Sequence, residues 1–365
     1  MFQLVLEVIV AVLAGIVGLT TVLPMTPSHR WWVRGWDFPR AQIAIVAAAS
    51  LPPAIYMAIA GQSLLAWGCL ALLFVCLVYQ CWRIAPYTPF VSVEMGSVER
   101  TETGNQVVIV SSNVEMGNDR FDRVGQLIDE VDPDVLFLME TDARWHDALR
   151  GRLDRYETVV TEIRDNCYGL IFATRLRCPK AKVVYLTPDD TPSLFAELRS
   201  PDGRAFRFVG LHPRPPVPGN TTHERDGEIL FAARFAHKTD TPVIAMGDFN
   251  DAAWSDTSRR FKTVGGYLDP RVGRGMVASF HANSRFLRSP IDQFYATPEI
   301  ALCDFARGPH VGSDHFPIIA RIDLDPEKAR ANNTAPADVK PDDRDRLSSV
   351  FDRHAKRLGD RARID

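Results

Sequence analysis

Apolar residues run almost unbroken through three stretches near the start of the chain, then give way to short runs bounded by turn residues. Phe2 to Leu23 carries one charge, Glu7, while Ala41 to Ala60 and Gln62 to Trp82 carry none. Each reaches the length of about 20 residues that a helix needs to cross the hydrocarbon core of a bilayer. The pattern predicts three transmembrane helices, with Pro52-Pro53 a kink that neighbouring helices tolerate. The first stretch lacks a positive leading region and a small-x-small cleavage site, so it reads as a retained span. Between the first two lies Arg30-Trp31-Trp32-Val33-Arg34-Gly35-Trp36, with the aromatic and basic character of a membrane interface.

Beyond Asn105 the apolar runs shorten and read as buried strands. Several end or begin at a polar side chain. Val107 to Ser112 leads to Asn113, Val135 to Met139 to Glu140, and Phe206 to Leu211 to His212. Pro242 to Met246 leads to Gly247-Asp248-Phe249-Asn250. Asp292 lies inside Pro290 to Tyr295, and Asp314-His315 precedes Phe316 to Ala320. Arg120 to Val131 and His223 to His237 have apolar residues at helical spacing, so the region is mixed α/β. One polar residue at a strand end is ordinarily a turn former. The ordered set is harder to explain that way. A buried strand fixes its end, so polar groups there can be aimed at one point. Asp, Asn, Glu and His aimed together suit a hard divalent cation and an attacked phosphate.

In that order, SSNV, LMET, GLHPRPP, GDFN, PIDQFYAT and GSDHFP resemble the motifs of the endonuclease/exonuclease/phosphatase superfamily over roughly Val107 to Leu324. Gln293 stands where many relatives have His, and Tyr168 to Thr174 where relatives often end in Ser-Arg. The resemblance implies a four-layer α/β sandwich, two packed β-sheets flanked by helices, and hydrolysis of a phosphate ester or anhydride by an in-line water. It implies Glu140 as the main ligand of Mg²⁺, with Mn²⁺ the alternative, and Asn113 assisting through its amide oxygen. Asp314 is expected at a second metal or the strand end. Asp248 is expected to deprotonate the water, and Asp292 to orient His315 against the phosphate. His212 and Asn250 are expected on the non-bridging oxygens.

The expected organisation is a membrane domain over residues 1–84, a linker over 85–105, the catalytic domain over 106–325 and a polar, partly disordered tail over 326–365. The tail carries Leu347, Val350, Phe351 and Leu358 at near-helical spacing, which reads as a solvated charged helix, with an amphipathic surface helix the alternative. From Val91 to Asp325 there are 28 basic against 35 acidic side chains, a net charge of −7. A duplex nuclease ordinarily presents a basic footprint, and this domain announces none. Its basic residues concentrate between GDFN and Asp292. Arg271, Arg274, Arg285 and Arg288 there are expected to meet an anionic head group.

The expectation is therefore a multi-pass cell-membrane phosphoesterase. Its partners are the lipid bilayer and a phosphorylated lipid-type substrate, with no obligate protein partner evident. A membrane-tethered nuclease, for which nucleic acid is the substrate, and an inactive phospholipid-binding module are the alternatives. Arg30, Arg34 and Arg40 favour the first loop inside. Resemblance to membrane-anchored bacterial phosphoesterases related to the teicoplanin-resistance proteins points the catalytic domain outward, and the outward reading is taken. Cys167 and Cys178 are a candidate disulfide in that case.

Overall fold

The computed structural model describes residues 2–61, 63–101, 104–187, 191–238 and 240–339, with the single positions 352, 355, 356 and 359. The candidate tail helix carrying Leu347, Val350, Phe351 and Leu358 lies outside the described residues. The chain forms two compact units, Met1–Val91 with Pro216–Thr222, and Ser92–Pro215 with His223–Asp365.

The first unit contains helices Phe2–Val22, Arg40–Gly61 and Leu64–Ile84, all long and apolar enough to cross a membrane. Val10, Ala14 and Val17 of the first helix pack with Ile43 and Ala47 of the second and with Cys69, Leu73 and Cys76 of the third. Larger apolar side chains, Leu4, Val8, Ile45, Ile59, Leu65 and Phe74 among them, point outward and are exposed. Water would penalise that inverted polarity and lipid favours it. One end of the bundle holds a buried polar network. Arg40 Nη2 pairs with Asp37 at 2.7 Å, Arg40 Nη1 donates to Gln80 Oε1 at 3.2 Å, and Gln80 Nε2 donates to Thr21 Oγ1 at 3.0 Å. Arg34 donates to the carbonyls of Pro24, Thr26 and Ser28. Two of the three arginines around the first loop, Arg34 and Arg40, are thus engaged inside the unit.

Among the described residues, the second unit holds eleven strands. They are β1 (Gln106–Asn113), β2 (Val135–Met139), β3 (Thr158–Glu162), β4 (Leu170–Thr174), β5 (Arg177–Tyr185) and β6 (Pro192–Arg199). They continue as β7 (Ala205–Leu211), β8 (Val243–Asp248), β9 (Asp292–Ala296), β10 (Ala301–Arg307) and β11 (Ile318–Asp323). One sheet runs β10-β11-β1-β2-β4-β3 and the other β5-β6-β7-β8-β9. Val107, Ile109 and Phe137 of the first sheet meet Leu194, Phe208, Met246 and Phe294 of the second in the central core. The Phe137 and Phe208 rings meet edge to face with centroids 5.8 Å apart.

Helices Phe121–Val131 and Ala143–Leu153 cover the first sheet through Val124, Leu127, Ile128, Trp145 and Leu149. Helices His223–Ala233 and Asp256–Gly265 cover the second through Ile229, Phe231 and Phe261. The layering is the expected four-layer sandwich.

Two expected boundaries move. Met95 is fully buried in the central core, Gly96 N donates to Asn332 O at 3.0 Å, and Val98 N donates to Leu302 O at 2.8 Å. The second half of the expected linker therefore belongs to the catalytic unit, as an apolar anchor that pattern reading cannot distinguish from linker. Past Asp325, helix Pro326–Asn332 buries Ala329, and Asn333 Nδ2 donates to Pro298 O and Ile300 O. All six cysteines are free.

Candidate active site

Strand register brings the polar ends to one edge of both sheets. β1 and β2 run parallel with Asn113 beside Met139, so Asn113 and Glu140 emerge together. β7 and β8 run parallel with Leu211 beside Gly247, so His212 and Asp248 do the same. β9 is antiparallel to β8 with Asp292 opposite Asp248, and β11 is antiparallel to β1, which sets His315 just before its start. Gly247 has φ 142°, and a Cβ there would sit 2.1 Å from Leu211 O. Only glycine lets the GDFN segment pass so close to the end of β7. Glu140 and Asn250 take left-handed backbone, with φ of 60° and 47°, conformations that cluster at functional sites.

Two carboxylate-centred groups face each other. In the first, His315 Nδ1 meets Asp292 Oδ2 at 2.7 Å, and His315 Nε2 lies 3.6 Å from Asp248 Oδ2 and 3.8 Å from Asp314 Oδ1. In the second, Asn113 Nδ2 bridges Glu140 Oε1 at 2.8 Å and Asp248 Oδ2 at 3.1 Å. His212 Nε2 is 3.9 Å from Glu140 Oε1 and 3.8 Å from Asp248 Oδ2. Separations of 3.6–3.9 Å are too long for direct hydrogen bonds, so these groups cluster without bonding one another directly. Asp248 Oδ1 accepts the Asn250 backbone N–H at 2.8 Å, and Asn250 Nδ2 donates one proton to Pro213 O at 3.0 Å.

Burial pushes the Asp248 carboxyl up to about 6 against the pull of the facing imidazoles. Burial alone would push His315 down, but the charges of Asp292 and Asp248 prevail and raise it to about 10. His212 is pushed down by burial more than Asp248 lifts it, so it is a neutral imidazole. The site thus pairs a carboxyl poised near neutrality with a cationic imidazole.

The structure brings Asn113, Glu140, His212, Asp248, Asn250, Asp292, Asp314 and His315 together. One expected detail reverses. Asn113 Oδ1 accepts the Glu115 backbone N–H at 3.0 Å, so its amide nitrogen, and not its oxygen, faces the carboxylates. Asn113 therefore orders Glu140 and Asp248 and does not present an oxygen to a cation.

The expected arginine surface is corrected at two of its four positions, Arg271 and Arg274. Arg271 is fully buried and grips Asp269 with two hydrogen bonds of 2.8 Å, because the lone acid of that segment lies two residues away and is buried with it. Arg274 donates to Pro270 O and Ser97 Oγ. Arg285 is exposed, and Arg288 is half-buried over the Phe316 ring.

Three further residues were not anticipated. Glu115 accepts the Asp314 N–H at 3.0 Å, and its carboxyl is raised by burial and by the charges of Asp314 and Glu140. Arg225 is fully buried, donates to Asn250 O at 2.7 Å and pairs with Asp251 at 3.2 Å, which fixes the turn carrying Asn250. Tyr168 places its ring centroid 5.6 Å from that of His212, with the Arg214 guanidinium carbon 5.5 Å from the Tyr168 centroid. No sequence signal marked Arg225 beforehand, because it lies in the polar first turn of its helix among His223, Glu224 and Asp226. Gln293, the departure from the family pattern, donates to Asp251 O at 2.6 Å and so supports the same turn.

The donor set suits a divalent metal. Oxygen ligands from Glu140, Asp248, Asp292 and Asp314 are hard donors. Asp292 Oδ1 is buried with no hydrogen-bond partner among the described residues. Asp248, Asp292 and His315 bring one ligand atom each within 4.8 Å of one another, a grouping able to hold a cation.

Residues 110–315 match the sequence pattern of the Endonuclease/Exonuclease/phosphatase family. No curated protein matches the sequence. A crystal structure of D. rerio TDP2 humanised by 14 mutations aligns at TM-score 0.52 and 17% identity, covering 60% of this chain and 99% of that one. D. rerio TDP2 complexed with a single-strand DNA product aligns at TM-score 0.51 and 17% identity, with the same coverage of 60% and 99%. At that identity the likeness shows the fold.

Proposed function

This chain belongs to the endonuclease/exonuclease/phosphatase family, whose members hydrolyse phosphate esters, and from that premise we propose a membrane-anchored, Mg²⁺-dependent phosphoesterase. Its substrate is a phosphate ester or pyrophosphate of a membrane-associated molecule. The observation that carries this reading is the cluster of Glu140, His212, Asp248 and His315, on a chain with three candidate membrane spans. Anchoring of that kind has little use for a freely diffusing substrate. We place the catalytic unit outside the cytoplasm, testable by protease access in intact cells.

Asp248 accepts the proton of the attacking water, a role its poised carboxyl suits. His315, held cationic by Asp292, lies against the phosphoryl oxygens as charge develops there. Neutral His212 and the second amide proton of Asn250 hydrogen-bond the same oxygens. Glu140 would hold Mg²⁺, or Mn²⁺ in its place, with Asp314 at a second position. Bound there, the dication supplies positive charge to the phosphoryl group. A protonated His315 donates and cannot ligate, which favours Glu140 over the Asp248–Asp292–His315 group as the main cation site.

Phosphate release with and without chelator tests the reaction. A panel of undecaprenyl pyrophosphate, sphingomyelin, phosphoinositides and DNA tests the substrate. The TDP2 complex with single-strand DNA product favours a nuclease as the second reading. The net charge of −7 on the catalytic region weighs against it. Turnover of DNA alone would reverse the order.

A further inference from the structure

A loop beside His315 holds out the two most exposed large apolar side chains among the described residues of the catalytic unit. Phe280 bridges backbone to both His315 and Ser289, and its ring lies 4.9 Å from the His315 ring. Between Phe280 and Ser289 the chain folds on itself. His281 N donates to Leu287 O at 3.0 Å, Ser284 N donates to His281 O at 3.0 Å, and Arg288 Nε donates to Ser284 O at 2.8 Å. Ser284 Oγ accepts from Phe286 N and Leu287 N. The base is tied by Ala282 N to Asp314 O at 2.6 Å and by His310 to Asn283 at 2.9 Å.

This bonding holds Phe286 and Leu287 at the tip, 85% and 64% exposed. The other large apolar side chains exposed in this unit, among the described residues, are Val159 at 39% and Ile163 at 48%. An adjacent Phe-Leu pair held out to solvent by an ordered loop marks a contact surface.

Cations surround it. Arg285 is exposed at the tip. Arg288 and Arg307 lie over the same Phe316 ring, with guanidinium carbons 5.2 Å and 4.1 Å from its centroid. Burial and the neighbouring Arg288 charge hold Arg307 below its ordinary range, a like-charge pairing that an anion would relieve. Apolar tips ringed by arginine match the boundary of an anionic bilayer, where acyl chains lie under phosphates.

We propose that residues 281–288 form a membrane-contacting loop. Phe286 and Leu287 enter the acyl region, and Arg285, Arg288 and Arg307 take head-group phosphates, which presents a surface phosphate to His315. The contact itself is independent of the catalytic reading, and the delivery of substrate rests on it.

The test uses the full-length protein in phosphatidylglycerol nanodiscs. Phe286→Trp adds a reporter to the chain's own seven tryptophans, so the difference from wild type is read in brominated and plain lipid. The added fluorescence should be lower in brominated lipid, and the effect should shrink in phosphatidylcholine. Equal intensity in both lipids overturns the proposal, as does capture of the loop by a protein with no lipid effect. Phe286→Ser with Leu287→Ser should lower kcat/KM on a bilayer-embedded phosphate about tenfold and leave a soluble ester unchanged. Equal loss on both would assign the loop to the general site and overturn the delivery role. Quenching without turnover of any phosphate would refute the enzyme reading and leave the membrane contact standing.

Discussion

His315 sits between Asp292 and Asp248, and those two carboxylates set its charge. Activity should fall below pH about 6, as Asp248 takes a proton, and above about 10, as His315 loses one. Asp292→Asn removes one of the charges that hold His315 up. The rate should drop by roughly 10²–10⁴ and the alkaline limb should move to lower pH, with metal affinity nearly intact. A matching loss of metal binding in titration calorimetry would make Asp292 a ligand instead. Glu140→Gln keeps shape and loses charge, so melting should be little changed while turnover falls by orders of magnitude; unchanged turnover would refute the metal role.

Glu228 gives a pH test of stability. It is fully buried, accepts Ser193 Oγ–H at 2.8 Å, and burial pushes its carboxyl up to about 8 from 4.5. The folded chain keeps a proton that the unfolded chain releases, so this group costs stability increasingly as pH rises from about 4.5 towards 8. Glu228→Gln should therefore raise Tm at pH 8 and have little effect near pH 4.5. Equal shifts at both, by calorimetry, would contradict the buried neutral carboxyl.

At the scale of elements, the site depends on how closely two parallel strand ends approach. Gly247→Ala sets a Cβ 2.1 Å from Leu211 O at a φ of 142°, and neither backbone can yield without moving His212 or Asp248. The change should cost at least about 2–3 kcal/mol and lower Tm by several degrees. A wild-type melting curve would show that β7 and β8 approach less closely than this. The strands and their polar ends were legible as apolar runs stopped by Asn, Glu, His and Asp. The amide orientation of Asn113 was not, because it depends on the Glu115 N–H, a partner created by the turn. The burial of Arg271 was equally hidden, since charge counting cannot tell a solvated arginine from one enclosed with Asp269.

At the scale of the whole molecule, the unit with the three candidate spans and the catalytic unit have separate cores. Deleting Met1 to Ile84 should give a soluble, folded domain that still cleaves a short soluble phosphodiester. Deletion through Asn105 also removes Met95 from the central core, which should cost about 2–5 kcal/mol and reduce soluble yield. Gel filtration and thermal melts of the two truncations compare directly, and equal stability would show that Met95 contributes nothing.

The sequence alone determined the three apolar spans, the alternation of strands and helices, and the identity of the polar residues at the strand ends. These are local properties, carried by hydrophobic period and by residue type. Tertiary structure decided what those residues face. Pairing of β8 with β9 set Asp292 beside Asp248, and folding enclosed Arg225 behind Asn250. It also withdrew Arg271 from the surface and held Phe286 out on it. Burial and partners depend on contacts between segments far apart in the chain, and no local pattern encodes them.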